Sequence, residues 1–257
     1  MSIALQVALV MVTILVVLLV IGAPIGVAIG MSSAVSMICM IPADVSFATS
    51  AQRIFAGSNS FSLIAIPFFI LAGNIMNNGG IATRLVNCAK VISGRMPGAL
   101  AQSNVVANML FGAISGSGAA AAAAMGGTIG PLEEKEGYDK NYSTAVNVAS
   151  APVGMLIPPS NTMIVYSSVA GSVSIAALFM AGYIPGLLWG GAVMILAGIM
   201  AKKRGYQAEQ RVPVKVALKT FWQAIPSLLL IVIVIGGILG GIFTATEGSA
   251  IAVVYAT

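Results

Sequence analysis

The sequence predicts an all-α, polytopic membrane protein with about six transmembrane crossings, one re-entrant helical hairpin, one proline-broken helix and two amphipathic surface helices. Three observations lead to this fold class. Hydrophobic residues occupy 58% of the 257 positions and charged residues only 7%, whereas charged residues make up about a quarter of soluble domains. Long uncharged runs separate the charged positions. Glycine, serine and proline interrupt two of those runs.

The amino-terminal region contains two predicted spans. The first charged residue is Asp44, so residues 2–42 carry no charge. One helix of that length would extend about 60 Å, twice the thickness of a bilayer core. Pro24 removes an amide donor and disfavours helix in the residue before it. We therefore expect spans at about Ile3–Ile21 and Ile25–Ile41, and no cleaved signal peptide, since no Lys or Arg precedes the run.

Three further segments precede a charged loop. After a polar segment at 42–59, Phe61–Met76 forms a third apolar run. Ile81–Met96 mixes apolar residues with three basic ones, which is typical of a helix on a membrane surface. Pro97–Pro131 is uncharged, too long for one crossing and short for two. This length predicts a re-entrant hairpin with its tip near Ser115–Gly118.

Beyond the charged loop at 133–140, proline interrupts the next uncharged run. Ser143–Phe179 contains Pro152 and the pair Pro158–Pro159, which predicts one crossing made of two half-helices. Three more segments complete the chain: a span at Ala181–Met200, a basic surface helix within 202–220, and a last span at Phe221–Phe243. Because the sequence stops inside another apolar run, Gly248–Ala256, we expect a longer natural chain.

The basic residues predict the orientation, because cytoplasmic loops carry an excess of Lys and Arg. With the hairpin returning to its own side, 11 of the 12 basic residues fall on one face, and Arg53 is the exception. They are Arg84, Lys90, Arg95, Lys135, Lys140, Lys202, Lys203, Arg204, Arg211, Lys215 and Lys219. We therefore expect a periplasmic amino terminus in an inner-membrane protein. The net charge of +5 then reflects topology and not nucleic-acid binding.

Composition also excludes several kinds of chemistry. The chain has no histidine, which rules out a Ser-His-Asp hydrolase and histidine ligation of zinc or haem. Cys39 and Cys88 are far apart and form no CxxC pattern, so we expect small residues facing lipid or core. No ionisable residue lies well inside a predicted span, which disfavours a membrane enzyme. We predict no enzymatic activity and no organic cofactor.

The predicted hairpin tip is the first candidate site. It has the sequence GAISGSG over Gly112–Gly118, followed by alanines. Ser115 or Ser117 suits the cap of the helix that follows. The free amides of that helix favour an anion, and unwound carbonyls of the preceding arm suit a hard cation such as Na+. The alternative is that these small residues only allow close helix packing.

The second candidate site is IPPSNT over Ile157–Thr162, inside an otherwise apolar crossing. Consecutive prolines withhold two amide donors, so carbonyls one turn earlier need water, ions or side chains as partners. Ser160, Asn161 and Thr162 supply polar oxygens at the break. A plain proline kink is the alternative. Two such interruptions together are typical of ion-coupled carriers.

Weaker candidates lie near these breaks. Gln102, Ser103, Asn104 and Asn108 place polar groups on the first hairpin arm, where facing the bundle interior is normal and a substrate role is possible. Asn74, Asn77 and Asn78 fit a helix terminus. Glu247 fits a capping or interfacial carboxylate.

The sequence resembles the large membrane subunit of tripartite ATP-independent periplasmic (TRAP) transporters, in the ion-transporter superfamily. The resemblance covers essentially the whole chain and rests on six motifs in order: Ile66–Gly73 (IPFFILAG), Ser115–Ser117 before the alanines, Gly137–Asp139 (GYD), Ile157–Ser160 (IPPS), Ala181–Gly186 (AGYIPG) and Ala245–Ala250 (ATEGSA). The family's large subunits are considerably longer and contain a second inverted half. This chain is similar to the first half and the start of the second.

The resemblance implies an elevator-type, Na+-coupled importer of organic acids such as dicarboxylates or sialic acids. It implies scaffold spans at 1–80, an arm helix at 81–96, a transport-domain hairpin and broken helix at 97–180, a span at 181–201, a basic arm helix at 202–220, and further scaffold at 221–257. The implied Na+ ligands are Ser115, Gly116, Ser117, Pro158, Pro159 and Ser160. The implied substrate residues are Ser117, Ser160, Asn161, Thr162 and Asn104. The PPSN form of the second break is more similar to the sialic-acid branch.

The resemblance also implies two protein partners, a small four-helix membrane subunit and a periplasmic substrate-binding protein. Two other classes stay open at this point. One is a permease subunit of an ATP-driven importer, which needs a cytoplasmic docking helix for its ATPase. The other is a structural subunit of a membrane assembly.

Overall fold

The computed structural model describes residues 3–171, 173–206, 208 and 213–257. Over these residues the chain is helical, with a 3-10 turn at Phe61–Ile64 and no strand. The α-helices are α1 (Ile3–Val20), α2 (Ile25–Ile38), α3 (Ala43–Ser58), α4 (Ala65–Asn78), α5 (Ile81–Ser93), α6 (Ala99–Ser115), α7 (Gly118–Thr128), α8 (Gly130–Lys135), α9 (Lys140–Ser150), α10 (Val153–Leu156), α11 (Asn161–Ala170), α12 (Ile175–Lys203), α13 (Val214–Leu239) and α14 (Ala245–Ala256). The fold class predicted from composition, an all-α protein, is confirmed.

The chain divides into two compact units, and the first ends at Ser60. In this unit α2 packs against both α1 and α3, and the Ser46 hydroxyl donates to the Ala34 carbonyl at 2.8 Å. The segment at 42–59, which the sequence indicated only as polar, is the helix α3. Pro42 stands immediately before it and Asp44 lies in its first turn, and both features favour a helix start.

The second unit, 61–257, is built around α6. Fourteen of the seventeen residues of α6 are buried. This helix packs against α5, α7, α9, α10 and α12, while α4 and α13 pack against α14. The hairpin arm is therefore the central element on which the other helices of this unit are positioned.

Within the described part of the chain, three helices are long and apolar enough to cross a membrane: α1, α12 and α13. Two successive segments, Lys140–Leu156 and Asn161–Ala170, also pass this test together and are bent by 48° at the break between them. These features are those of a multi-pass helical membrane protein. The number of crossings stays a prediction.

Three of the predicted elements differ in the structure. The predicted surface helix at 81–96 forms as α5, but its apolar face is covered by protein, with Leu85 and Ala89 buried where α5 packs against α6 and α13. The predicted span at 181–200 begins earlier, at Ile175, because Ser174 caps that end by accepting from the Ala177 amide at 3.4 Å.

The third difference concerns residues 202–243. The sequence predicted a separate surface helix and a span, whereas one continuous helix, α13, covers Val214–Leu239. Pro226 lies inside this helix. The helix continues through it, because an internal proline removes one hydrogen bond and does not by itself end a helix in an apolar environment. Lys202 and Lys203 belong to the last turn of α12. Arg211, another basic residue of this segment, lies outside the described residues.

Candidate functional site

The hairpin tip forms where a glycine ends one helix and a serine begins the next. Gly116 adopts a left-handed conformation with φ of +62°, which glycine accepts without steric cost. Ser117 is extended, and its hydroxyl accepts from the Ala120 amide at 3.3 Å. The sequence left the cap open between Ser115 and Ser117, and the structure assigns it to Ser117.

The second interruption has the same construction. Proline at positions 158 and 159 separates α10 from α11, and Ser160 is the extended residue before α11. The Ser160 hydroxyl accepts from the Met163 amide at 3.4 Å and donates to the Met155 carbonyl at 2.5 Å. One side chain therefore caps the new helix and satisfies a carbonyl that the prolines left without a partner. The predicted break at the prolines is confirmed, but the part before it consists of two helices, α9 and α10, and residues 175–179 of the predicted crossing belong to α12.

The two interruptions meet. The Asn161 backbone amide donates to the Gly116 carbonyl at 3.1 Å, and its side-chain amide donates to the Ser115 carbonyl at 3.3 Å. A Cβ atom on Gly116 would lie 3.0 Å from the Pro159 carbonyl oxygen. The structure thus brings the hairpin tip together with Pro159, Ser160 and Asn161.

Two of the predicted substrate residues lie elsewhere. Asn104 is on the same helix as the tip, but eleven residues from Ser115 correspond to about 16 Å along an α-helix. Thr162 is exposed and lines an apolar groove with Tyr166 and Trp189. The rise along the helix axis separates Asn104 from the tip, whereas the α-helical period turns Thr162, which is next to the break in sequence, to another side of α11.

Oxygen atoms at the junction match the preference of Na+ for hard ligands. The Asn161 side-chain oxygen is buried and has no hydrogen-bond partner within the described residues, and it would lie 3.2 Å from a Cβ atom on Gly116. The Ser115 hydroxyl is buried beside the tip. The residues present therefore fit a small cation, and Asn161, which the sequence assigned to substrate, offers it an unused oxygen.

A cavity of about 330 Å³ lies beside the tip, and the described residues that line it carry no charge. Its wall is Ile70, Gly73, Asn74, Asn77, Phe111, Ser115, Ser117 and three alanines of α7. Asn74 and Asn77 are exposed, and the sequence assigned them only to the end of a helix. Their spacing of three residues, which places two amides on one face of α4, is the signal from which a shared surface could have been predicted.

Helix α12 supports the broken helix from the other side. A Cβ atom on Gly182 would lie 2.2 Å from the Leu156 carbonyl oxygen, so only glycine allows this approach. The Trp189 indole donates to the Ala149 carbonyl at 2.8 Å. These contacts fix the segment that carries Ser160 and Asn161.

Comparison with known proteins gives the family. The profile of the DctM component of tripartite ATP-independent periplasmic transporters matches residues 12–257. YgiK of Salmonella typhimurium (strain LT2) is 54% identical over 87% of this chain and 52% of its own length. Two proteins of Vibrio cholerae serotype O1 are also similar. Its C4-dicarboxylate TRAP transporter large permease protein DctM is 42% identical over 83% of this chain and 47% of its own length. Its sialic acid TRAP transporter large permease protein SiaM is 40% identical over 80% of this chain and 48% of its own length.

The chain spans about half the length of these curated relatives. The match to the family profile covers almost all of the chain, including the hairpin, the broken helix and the glycines between them. The chain therefore belongs to the family of TRAP transporter large membrane subunits, the DctM component.

Proposed function

We propose that this chain is part of the membrane-embedded subunit of a Na+-coupled secondary transporter that imports an organic acid across the bacterial inner membrane. The observation that carries this proposal is the junction of Asn161 with Gly116, where two interrupted helices meet through backbone and side-chain hydrogen bonds. Helix interruptions that meet inside a bundle are the usual construction of ion and substrate sites in secondary transporters. The role is transport and not catalysis.

The coupling ion binds at this junction. Its ligands are oxygens of Ser115, Gly116, Ser117, Pro158, Pro159 and Ser160, together with the unpartnered side-chain oxygen of Asn161. This set is supported by the absence of any charged group from the cavity beside the tip, because neutral oxygen dipoles hold Na+ without the competition of a fixed ammonium or guanidinium.

The substrate is an organic anion that occupies the uncharged cavity beside the tip. Its carboxylate faces the amino terminus of α7, whose first amides and positive dipole end favour negative charge. Ser117 lines the cavity at this position, and Asn74 and Asn77 supply amide donors from α4. Ser160 lies behind the tip, at the amino terminus of α11. The names of two relatives, for C4-dicarboxylate and for sialic acid, support an acidic substrate. The PPSN break favours sialic acid.

The proposed assembly follows the family. A small four-helix membrane subunit holds the scaffold, and a periplasmic binding protein delivers the substrate. The hairpin and broken helix move as one body in an elevator motion, with the amino terminus in the periplasm. An ATP-driven mechanism has less support, because the matching family is described as ATP-independent.

Uptake into proteoliposomes tests this function. The full-length protein is reconstituted with its small subunit, and its binding protein is added outside with a radiolabelled C4-dicarboxylate or sialic acid. We expect accumulation under an inward Na+ gradient and none when the gradient is collapsed, with internal ATP having no effect. Accumulation that ignores the Na+ gradient contradicts the coupling, and accumulation that requires ATP contradicts the transporter class.

A further inference from the structure

Glu133 lies within the charged loop of the sequence, yet its side chain is buried. It is 1% exposed, whereas the next residue, Glu134, is exposed. Glu133 belongs to the short helix α8, which packs against the hairpin helices α6 and α7 and against α9. This loop therefore folds a carboxylate back under the hairpin, at the end remote from the tip.

Neither carboxylate oxygen of Glu133 has a hydrogen-bond partner of normal geometry among the residues that the structure describes. Two buried groups nearby also lack a hydrogen-bond partner of normal geometry among the described residues. They are the side-chain nitrogen of Asn104 and the hydroxyl of Ser143. All three residues line a cavity of about 350 Å³. Among the described residues the one ion pair joins Arg204 to Asp139, so Glu133 forms no ion pair there.

A buried carboxylate without a cationic partner is costly as an anion and takes up a proton more readily. Burial raises the pKa of Glu133 to about 7, and the nearby Ser143 and Asn104 side chains lower it only in part. The other titratable residues that line the cavity are Glu134, Tyr138 and Lys140, and Tyr142 of α9 lies within electrostatic reach. Helices α6 and α7 contain no titratable residue.

The cavity connects to a buried polar network between the hairpin and the broken helix. The Asn108 side-chain amide lies 2.8 Å from the Asn104 oxygen, 3.0 Å from the Asn147 oxygen and 2.8 Å from the Ser150 hydroxyl. Asn104 therefore lines the cavity and also contacts this network. The cavity that holds Glu133 therefore adjoins the side chains that join α6 to α9.

We propose that Glu133, Asn104 and Ser143 form a proton-binding site, and that Glu133 holds a proton when the hairpin and the broken helix pack as in this structure. The site opens on the end of the hairpin that carries the charged loop, about 16 Å along α6 from the tip. It is independent of the Na+ coupling proposed above, since the tip residues do not titrate.

Thermal unfolding of the full-length complex in detergent, followed from about pH 5 to pH 8, tests this site. The folded state holds the proton more tightly than the unfolded chain, so the stabilisation is complete below pH 4.5 and is lost as the pH rises through about 7. We expect the Tm of the parent protein to fall by several degrees over this range. Glu133→Gln, which mimics the protonated side chain, is expected to abolish this pH dependence and to raise the Tm at pH 8.

Glu134→Gln is the matched control, because this neighbour also lines the cavity but is exposed. It is expected to keep the pH dependence of the parent protein. Glu133→Met, with a side chain of similar length that cannot ionise, replaces the glutamine variant if that one does not fold. The infrared carbonyl band of a protonated carboxylic acid at pH 6 is a second readout, expected in the parent protein and in Glu134→Gln and absent from Glu133→Gln.

Two results overturn the proposal. The first is an unchanged pH dependence in both variants of Glu133. The second is a stabilisation at pH 8 by Na+ or K+ that the parent protein shows and Glu133→Gln lacks, which assigns the cavity to a metal cation and not to a proton.

Discussion

Gly112 on the first hairpin arm and Gly154 on α10 touch through their backbones. A Cβ atom on Gly112 would lie 2.2 Å from the Cα of Gly154, and one on Gly154 would lie 2.7 Å from the Cα of Gly112. No real Cβ atom occupies such a distance, so this contact requires glycine at both positions. It holds the hairpin against the broken helix one turn before the tip.

Replacing Gly112 or Gly154 by alanine is therefore expected to separate the two interrupted helices. Each added methyl group meets backbone, which cannot move away as a side chain can, and overpacking of this kind costs about 1–3 kcal/mol or more. We expect a lower Tm and a loss of Na+-dependent uptake in both variants.

Gly127→Ala is the control for this prediction. Gly127 lies on the second hairpin arm with nothing within 4 Å of a Cβ atom, and alanine favours helix over glycine. Its Tm is expected to be unchanged or slightly raised. Equal Tm values for Gly112→Ala and Gly127→Ala contradict the role of the contact.

Asp139 joins the start of α9 to the end of α12. Its carboxylate accepts from the Tyr142 amide at 2.9 Å and pairs with Arg204 at 3.0 Å. These two contacts, the amide first, lower the pKa of Asp139. The carboxylate therefore stabilises the fold above its unfolded pKa of 3.8, and this stabilisation is lost as the pH falls through the lower folded value.

Asp139→Asn keeps a capping oxygen and loses the ion pair, whereas Asp139→Ala loses both. We expect the Tm to decrease from the parent protein to Asp139→Asn and further to Asp139→Ala, measured at neutral pH and low salt. The first difference is expected to be small and to shrink in high salt, because the pair is exposed. A lower Tm for Asp139→Asn than for Asp139→Ala contradicts the capping role.

The helical class and both interruptions were predicted from the sequence, because Gly116 and the prolines at 158 and 159 act locally on the backbone. The helix caps could be predicted from the sequence equally well, because each one joins residues only three positions apart. They are Ser117 of α7, Ser160 of α11 and the capping carboxylate of Glu247 in α14. Local chemistry of this kind needs no knowledge of the tertiary structure.

What the sequence did not provide depends on tertiary packing. Glu133 was assigned to a charged loop because its neighbours in sequence are charged, and its burial arises from the packing of α8 under the hairpin. Asn104 was placed with the substrate site although it lies at the far end of α6. Asn74 and Asn77 were assigned to a helix end, and only the approach of α4 to the tip brings them to a cavity.

The Na+ titration of uptake tests the central claim most directly, with Ser117→Ala and Ser160→Ala compared with the parent protein. Ser174→Ala is the matched control, since it removes the same kind of cap from α12 away from the tip. Loss of a cap costs about 1 kcal/mol in each variant, and Ser160→Ala also removes the donor to the Met155 carbonyl, so the comparison uses the Na+ dependence of uptake and not the stability. We predict that the half-saturating Na+ concentration rises about tenfold, equivalent to about 1.4 kcal/mol, in the two tip variants only. Identical Na+ curves in all four proteins, at equal amounts in the membrane, contradict the assignment of the ion to the junction of hairpin tip and broken helix.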